Sequence, residues 1–387
     1  MKFMALPPVR RPVPLIRGHT PTALTMGRFF HNRPITLYGS GTAALAGALA
    51  RCAARARIEV PEVILPAYGC PNLVAACMRA SIVPRLVDVA ATNWSYDLGA
   101  LSRSLSLNTV AVVAVNLLGL GDGTPDLGDF CRNSGIALIQ DSAQFLPRRP
   151  IAWPGDYVVL SFGRGKPMNL LTGGALVDCL TGDDWAAPSG KYSARHTMLA
   201  NPAAALAFNV LTRPRPYWVL SQLPGSRLGR VVYKELLTDT SPLSHGAWAR
   251  INAAFGEYQK QPSYARRLWD SAIDEWKALG ILPLEGPTPE IQMEPLRLAL
   301  LAPNRAARDD ILSRLTRAHL GASRFYGTTL PRVCRVPECV RCQGPFPNAE
   351  ALADRLFTLP THSLVTEETV RTAITQIRMW RMSRVAS

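Results

Sequence analysis

The chain predicts an α/β fold, with a mostly parallel central sheet covered by helices on both faces and a smaller C-terminal α/β domain behind it. Three observations carry this reading. Segments such as Thr109–Val115 are apolar throughout and lack the polar alternation of a half-exposed strand, so they fit strands buried on both faces. Helical stretches alternate with these segments, as parallel crossovers require. With 387 residues, 48% of them hydrophobic and 18% charged, there is enough apolar surface for two cores.

To about Phe30 the chain is rich in proline and arginine and reads as an arm with little regular structure. From Ile35 onward the elements follow in order. The turn Gly39-Ser40-Gly41-Thr42 opens a helix from Ala43 to Arg57. Strands are expected at 62–65, 83–89, 109–115, 136–140, 157–162 and 174–178, with helices at 72–80, 97–105 and 125–134 between the first four. Between Leu180 and Thr240 tryptophans, prolines and apolar residues mix, and no period places an element. A helical pattern from Pro242 to Leu279, broken near Pro262 and ended at Gly280, opens a second unit. In it a strand is expected at 296–301, a helix at 306–319, a strand around 322–325, a further segment at 349–357 and a helix at 367–380. The implied division is a large domain with its arm at 1–241 and a small domain at 242–387.

Composition narrows the function classes. No apolar run reaches the roughly 18–20 residues of a spanning helix, and prolines and arginines interrupt the N-terminus where a signal core would lie, so a cytoplasmic protein is expected. Eight cysteines include Cys334, Cys339 and Cys342 in a C-x4-C-x2-C cluster. Zinc with His319 or His362 as fourth ligand is one reading. Reduced loop cysteines are the expected one, because a second C-x2-C is missing, and no metal or disulfide is anticipated. The net charge of +15 raises the question of nucleic acid, but the arginines are scattered and no aromatic-basic repeat accompanies them. A surface that favours anionic metabolites or lipid headgroups accounts for the charge. The apolar, arginine-flanked stretch from Met198 to Trp218 reads as a buried helix, with a face resting on a membrane interface as its alternative.

Three pieces carry chemistry. Gly41, Thr42 and the Ala43 backbone lie at a helix start, where unsatisfied N–H groups and the helix dipole favour a phosphate. Asp141 ends a predicted central strand, where ligands of open α/β sheets gather, and its carboxylate can hold a pyridine nitrogen protonated. Lys166 follows the turn after Ser161 and offers an amine that can condense with an aldehyde. Amine, carboxylate and phosphate cradle in this order are the parts needed to hold pyridoxal 5′-phosphate and use it. Gln144, three residues on, either reaches the cofactor's 3′-oxygen or faces solvent.

Gly39-Ser40-Gly41-Thr42-Ala43-Ala44-Leu45, Leu65-Pro66-Ala67-Tyr68, Val87-Asp88-Val89, Asp141-Ser142-Ala143-Gln144 and Ser161-Phe162-x3-Lys166 resemble the successive motifs of DegT/StrS-type sugar aminotransferases. A looser resemblance runs through Phe346-Pro347-Asn348-Ala349-Glu350 and Leu359-Pro360-Thr361-His362. The resemblance implies the pyridoxal-phosphate-dependent fold type I, with Lys166 as the cofactor lysine and Asp141 at the pyridine nitrogen. It also implies Gln144 at the 3′-oxygen, Ser161, Thr42 and the Ala43 backbone at the phosphate, and a homodimer with shared active sites. The sequence departs from the family in two places. The position of the ring-covering aromatic is Cys70, which leaves Cys70 or Tyr68 to face the ring, and the Asn-Tyr-Arg-type segment has no match near Thr238 to Leu243.

The leading expectation is an aminotransferase that takes an amino group from an amino acid, L-glutamate, to a carbonyl acceptor, a nucleotide-linked keto-sugar. Lysine at position 166 separates the chain from the family's dehydratase branch, which has histidine there. The alternatives are a cofactor enzyme acting on a non-sugar or lipid-linked carbonyl, and a non-catalytic protein that keeps the fold.

Overall fold

The computed structural model describes residues 3–15, 25–91, 93–122, 124–180, 188–189, 191–223, 237, 239–260, 264–286, 295–333, 341–342 and 344–385. Its strands are β1 Ile35–Tyr38, β2 Glu62–Pro66, β3 Val83–Val87, β4 Thr109–Val115, β5 Ala137–Asp141, β6 Tyr157–Ser161, β7 Gly174–Asp178, β8 Leu282–Pro283, β9 Arg297–Leu301, β10 Arg341–Cys342 and β11 Leu356–Pro360. The helices are α1 Gly41–Ala56, α2 Asn72–Arg79, α3 Leu98–Ser104, α4 Pro125–Asn133, α5 Ala194–Leu199, α6 Pro202–Leu211 and α7 Pro214–Gln222. They continue as α8 His245–Trp248, α9 Ile251–Lys260, α10 Tyr264–Arg267, α11 Asp270–Lys277, α12 Arg305–Arg317, α13 Pro347–Arg355 and α14 Glu367–Val385.

Eight strands form the main sheet in the order β1-β7-β6-β5-β4-β2-β3-β10. Pairing is parallel from β6 through β10, and only the β1–β7 and β7–β6 contacts are antiparallel. The apolar runs are buried on both sides, as their lack of alternation predicts. Val113 of β4 packs toward α1 and α2, while its neighbours Val112 and Ala114 pack toward α3 and α4. Beyond β6 and β7 the second face is covered by α8 and α9, where Ala247, Ile251, Phe255 and Tyr258 meet Val158, Leu160 and Val177. A three-stranded antiparallel sheet, β11-β9-β8, carries its own core with α11, α12 and α14, centred on Trp269, Trp276, Ile311 and Ile377.

Several expectations change. Among the described residues the helical pattern at 242–279 is four short helices, and the break expected near Pro262 lies outside those residues. The strand expected around 322–325 is a single bridge from Ser323 to Thr358, because Gly321 and Phe325 take positive φ of 70° and 61° and end any extended run. The stretch from Met198 to Trp218 is not a buried helix: Ala205 is the only buried residue of α6, and α7 has none. No helix among the described residues is long and apolar enough to cross a membrane. Cys334 and Cys339 of the cysteine cluster lie outside the described residues, as does the side chain of Cys342. Among the described residues no cluster of metal-ligating side chains occurs.

Candidate active site

Strand ends and one helix start converge on a cavity of about 300 Å³. Parallel strands point their carboxyl ends the same way, so β4 delivers Val115 and Asn116, β5 delivers Asp141, and β6 delivers Ser161 to one rim. The N-terminus of α1 meets this rim, and Gly39, Ser40, Gly41 and Thr42 line the cavity beside Lys166.

Small residues make that meeting possible. A Cβ on Gly41 would lie 2.7 Å from Ser161 Cβ, and one on Gly174 would lie 2.6 Å from the backbone N and Cα of Gly41. Helix α1 therefore rests directly on the start of β7, with its first turn against the end of β6. Ser40 caps the helix by accepting the Ala43 N–H at 3.1 Å. The N–H groups of Gly41 and Thr42, at the first two helical positions, have no carbonyl one turn back and are left for an anion.

Asp141 is buried, and its carboxylate accepts the Ala143 N–H at 3.0 Å. Burial pushes its pKa up, while that hydrogen bond and the Lys166 ammonium act in the opposite direction. A buried carboxylate in this state is stabilised by any cation that enters the cavity. Lys166 is half-buried on the turn after β6, where Gly165 takes φ of 72°. Its charge also acts on the Cys70 thiol, whose pKa burial raises and Lys166 lowers. Gln144 donates to Tyr326 Oη at 2.8 Å and accepts the Leu118 N–H at 3.1 Å, which fixes the Tyr326 ring at the cavity wall.

Of the residues singled out from sequence, Lys166, Asp141, Gln144, Ser161, Gly41, Thr42 and Cys70 line this one cavity. Two do not. The Ala43 N–H is occupied by the Ser40 cap, and Tyr68 is 2% exposed behind Tyr326, the two rings meeting edge-on at 5.8 Å. The aromatic at the wall is Tyr326, which sequence reading missed because it arrives from 182 residues beyond Gln144. Arg195, His196 and Asp239 were missed for the same reason. They line the cavity from the segment without a period, with His196 Nδ1 3.3 Å from Ser241 Oγ and 3.6 Å from Asp239 Oδ2.

The residues present fit pyridoxal phosphate. The cradle at Gly41 is closed to any side chain, the N–H groups of the first helical turn are free of helical partners, Asp141 is a buried acceptor on the cavity, and an amine lines the same space.

The family model of the DegT/DnrJ/EryC1/StrS aminotransferases matches residues 25–187 and 267–378. The chain is 31% identical over 142 residues to an L-glutamine:scyllo-inosose aminotransferase of Streptomyces griseus, covering 36% of this chain and 33% of that one. It is 30% identical over 123 residues to a 3-amino-5-hydroxybenzoate synthase of Amycolatopsis mediterranei (strain S699), covering 30% and 31%. The chain thus matches about a third of the length of these relatives. Among solved structures, the E. coli GDP-4-keto-6-deoxy-D-mannose-3-dehydratase with bound hydrated pyridoxal phosphate superposes with a TM-score of 0.66 at 13% identity, over 91% of this chain and 89% of that one.

Proposed function

Because the chain belongs to the DegT/DnrJ/EryC1/StrS aminotransferase family, we propose that it is a pyridoxal-phosphate-dependent aminotransferase, assembled as a homodimer, that moves an amino group from an amino acid to a carbonyl acceptor. The observation that carries this reading is the placement of the Lys166 amine and the buried Asp141 carboxylate on one cavity, at the foot of the α1 helix start. When bound, the cofactor supplies an electron-withdrawing ring that stabilises negative charge at the donor's Cα. The Lys166 amine would hold the cofactor's aldehyde and, when free, would serve as the base for the donor's Cα proton. Asp141 would accept a hydrogen bond from the pyridine N–H and hold that nitrogen protonated. The Gly41 and Thr42 N–H groups and the Ser161 hydroxyl would hold the phosphate, in a cavity that Cys70 and Tyr326 also line.

L-Glutamate is the proposed donor and a nucleotide-linked keto-sugar the proposed acceptor. Arg195 at the cavity edge offers a cation to the acceptor's diphosphate. A second reading, a non-sugar cyclic ketone, is favoured by the scyllo-inosose aminotransferase among the relatives, which also puts L-glutamine forward as donor. Incubating the holoprotein with each donor and a panel of keto-sugar nucleotides and cyclic ketones, with products read by mass spectrometry, separates these. An amino product from one class names the acceptor. If neither donor bleaches the cofactor's visible band and no amino product forms, the protein keeps the fold without the catalysis.

A further inference from the structure

Helix α6 presents Ala203, Leu206, Ala207, Val210 and Leu211 to solvent, at positions i, i+3, i+4, i+7 and i+8. That spacing is one continuous stripe on a helix, and here the stripe is wholly apolar. The neighbouring elements carry further exposed apolar side chains. Met198 is 64% exposed on α5, Val219 56% on α7, Leu223 54% just beyond, and Phe3 64%, set edge-on against Trp218. Isolated exposed apolar residues are ordinary, but a contiguous set of this kind marks a surface meant to be covered.

The charges around it say what covers it. From Pro188 to Leu223 the sequence contains no aspartate or glutamate, and the first acidic residue of the whole chain is Glu59. The arm lies against these helices, with Val13 and Asn209 exchanging two hydrogen bonds of 2.8 Å and Ala5 donating to Pro214. Arm and helices therefore carry no acidic residue of their own. Lys191, Arg195, Arg213 and Arg215 are exposed there. Arg10 Nε has no hydrogen-bond acceptor among the described residues, and the pKa of Arg10 is lowered by burial and then by the charge of Arg213. Like charges accumulate here; Asp239 approaches α5 on its cavity side, 3.6 Å from His196. A second copy of the same face would oppose cations with cations, which disfavours self-association through it.

We propose that the face built by α5, α6, α7 and the N-terminal arm docks on an anionic phospholipid bilayer, the apolar stripe entering the headgroup boundary and the arginines meeting lipid phosphates. Tyr192 and Trp218 supply the amphipathic aromatics that favour such an interface. Because Arg195, His196 and Leu199 of α5 also line the active-site cavity, docking sets the cavity beside the lipid surface. The inference is independent of the acceptor's identity.

Flotation of the holoprotein with vesicles tests it. At low salt, the protein should float with vesicles of phosphatidylcholine mixed equally with phosphatidylglycerol, and not with phosphatidylcholine alone. Leu206→Glu with Val210→Glu should abolish flotation. Arg213→Glu with Arg215→Glu should weaken partitioning by about twenty-fold or more, since each cation near an anionic surface contributes about five-fold. Both double variants should keep the parent's thermal midpoint and cofactor absorbance, because all four side chains are exposed. Absence of flotation with the mixed vesicles overturns the proposal, as does binding that survives both double variants. A change of oligomeric mass in the variants with flotation unaltered assigns the face to a protein partner and overturns it equally.

Discussion

Helices α1 and α6 are both alanine-rich, and both begin at a side-chain cap, from Ser40 to the Ala43 N–H and from Asn201 to the Ala203 N–H. Their intrinsic propensities are alike, yet their fates are opposite. Nine residues of α1 are buried, Gly41 among them, and its first turn forms the floor of the cavity. Helix α6 buries Ala205 and leaves a stripe in solvent. What differs is the receiving surface. Gly174 lets α1 descend onto the start of β7, while α6 meets the proline-rich arm, α5, α7 and Leu171 and no strand of the sheet among the described residues. An apolar helix becomes core only where another element offers it a complementary floor.

The sharpest way to break this contrast is to raise that floor. In Gly174→Ala the new methyl would meet Gly41 and Ser40 backbone, which cannot swing aside. Its unfolding free energy should fall by about 3 kcal/mol and cofactor binding should be lost, as read by denaturant titration and absorbance; a variant as stable as the parent would disprove the close approach. Next comes a matched pair. Ala48 on α1 is 0% exposed and Ala207 on α6 is exposed. Ala48→Leu should lose about 2 kcal/mol, whereas Ala207→Leu should stay within about 0.5 kcal/mol of the parent. Equal losses would mean that the two helices do not differ as described.

A smaller effect comes from behind the cavity, where Asp122 accepts the Val115 N–H and is 1% exposed. Burial pushes its carboxyl up to about 7, with hydrogen bonds from Ser95 and Val115 opposing. The folded chain therefore holds a proton that the unfolded chain releases near 3.8. This group destabilises the fold fully above about pH 7 and progressively less as the pH falls toward 4. Asp122→Asn should be more stable than the parent at alkaline pH by about 1 kcal/mol or more, with the advantage vanishing under acid; thermal midpoints across pH would show the opposite trend if the sign is wrong. Smallest is Tyr326→Phe, which removes the acceptor of the Gln144 amide. It should raise the half-saturating cofactor concentration by about fivefold, and an unchanged value would show that this hydrogen bond does not shape the wall.

The same contrast explains what the sequence could and could not reveal. Strands such as Thr109–Val115 were legible because a seven-residue apolar run rich in β-branched valine is too short for a buried helix and fits a strand covered on both faces. Lys166, Asp141, Ser161 and Gly41 were legible because each sits at a strand or helix end, where short motifs fix position. Tyr326 and Arg195 reach the cavity through tertiary contacts that no local spacing encodes. Ala43 and Tyr68 were placed at the site by motif, but a cap takes the N–H of one and Tyr326 covers the other. The stretch from Met198 to Trp218 resisted because an alanine-rich apolar helix looks the same on paper whether a sheet or solvent lies beside it.

The active site turns on one amine. Reducing the holoprotein with borohydride fixes the cofactor to the nitrogen that holds it, and peptide mapping by mass spectrometry then reads the position. The pyridoxyl mass should fall on the peptide containing Lys166. Its appearance on any other lysine, with Lys166 unmodified, would contradict the site described here.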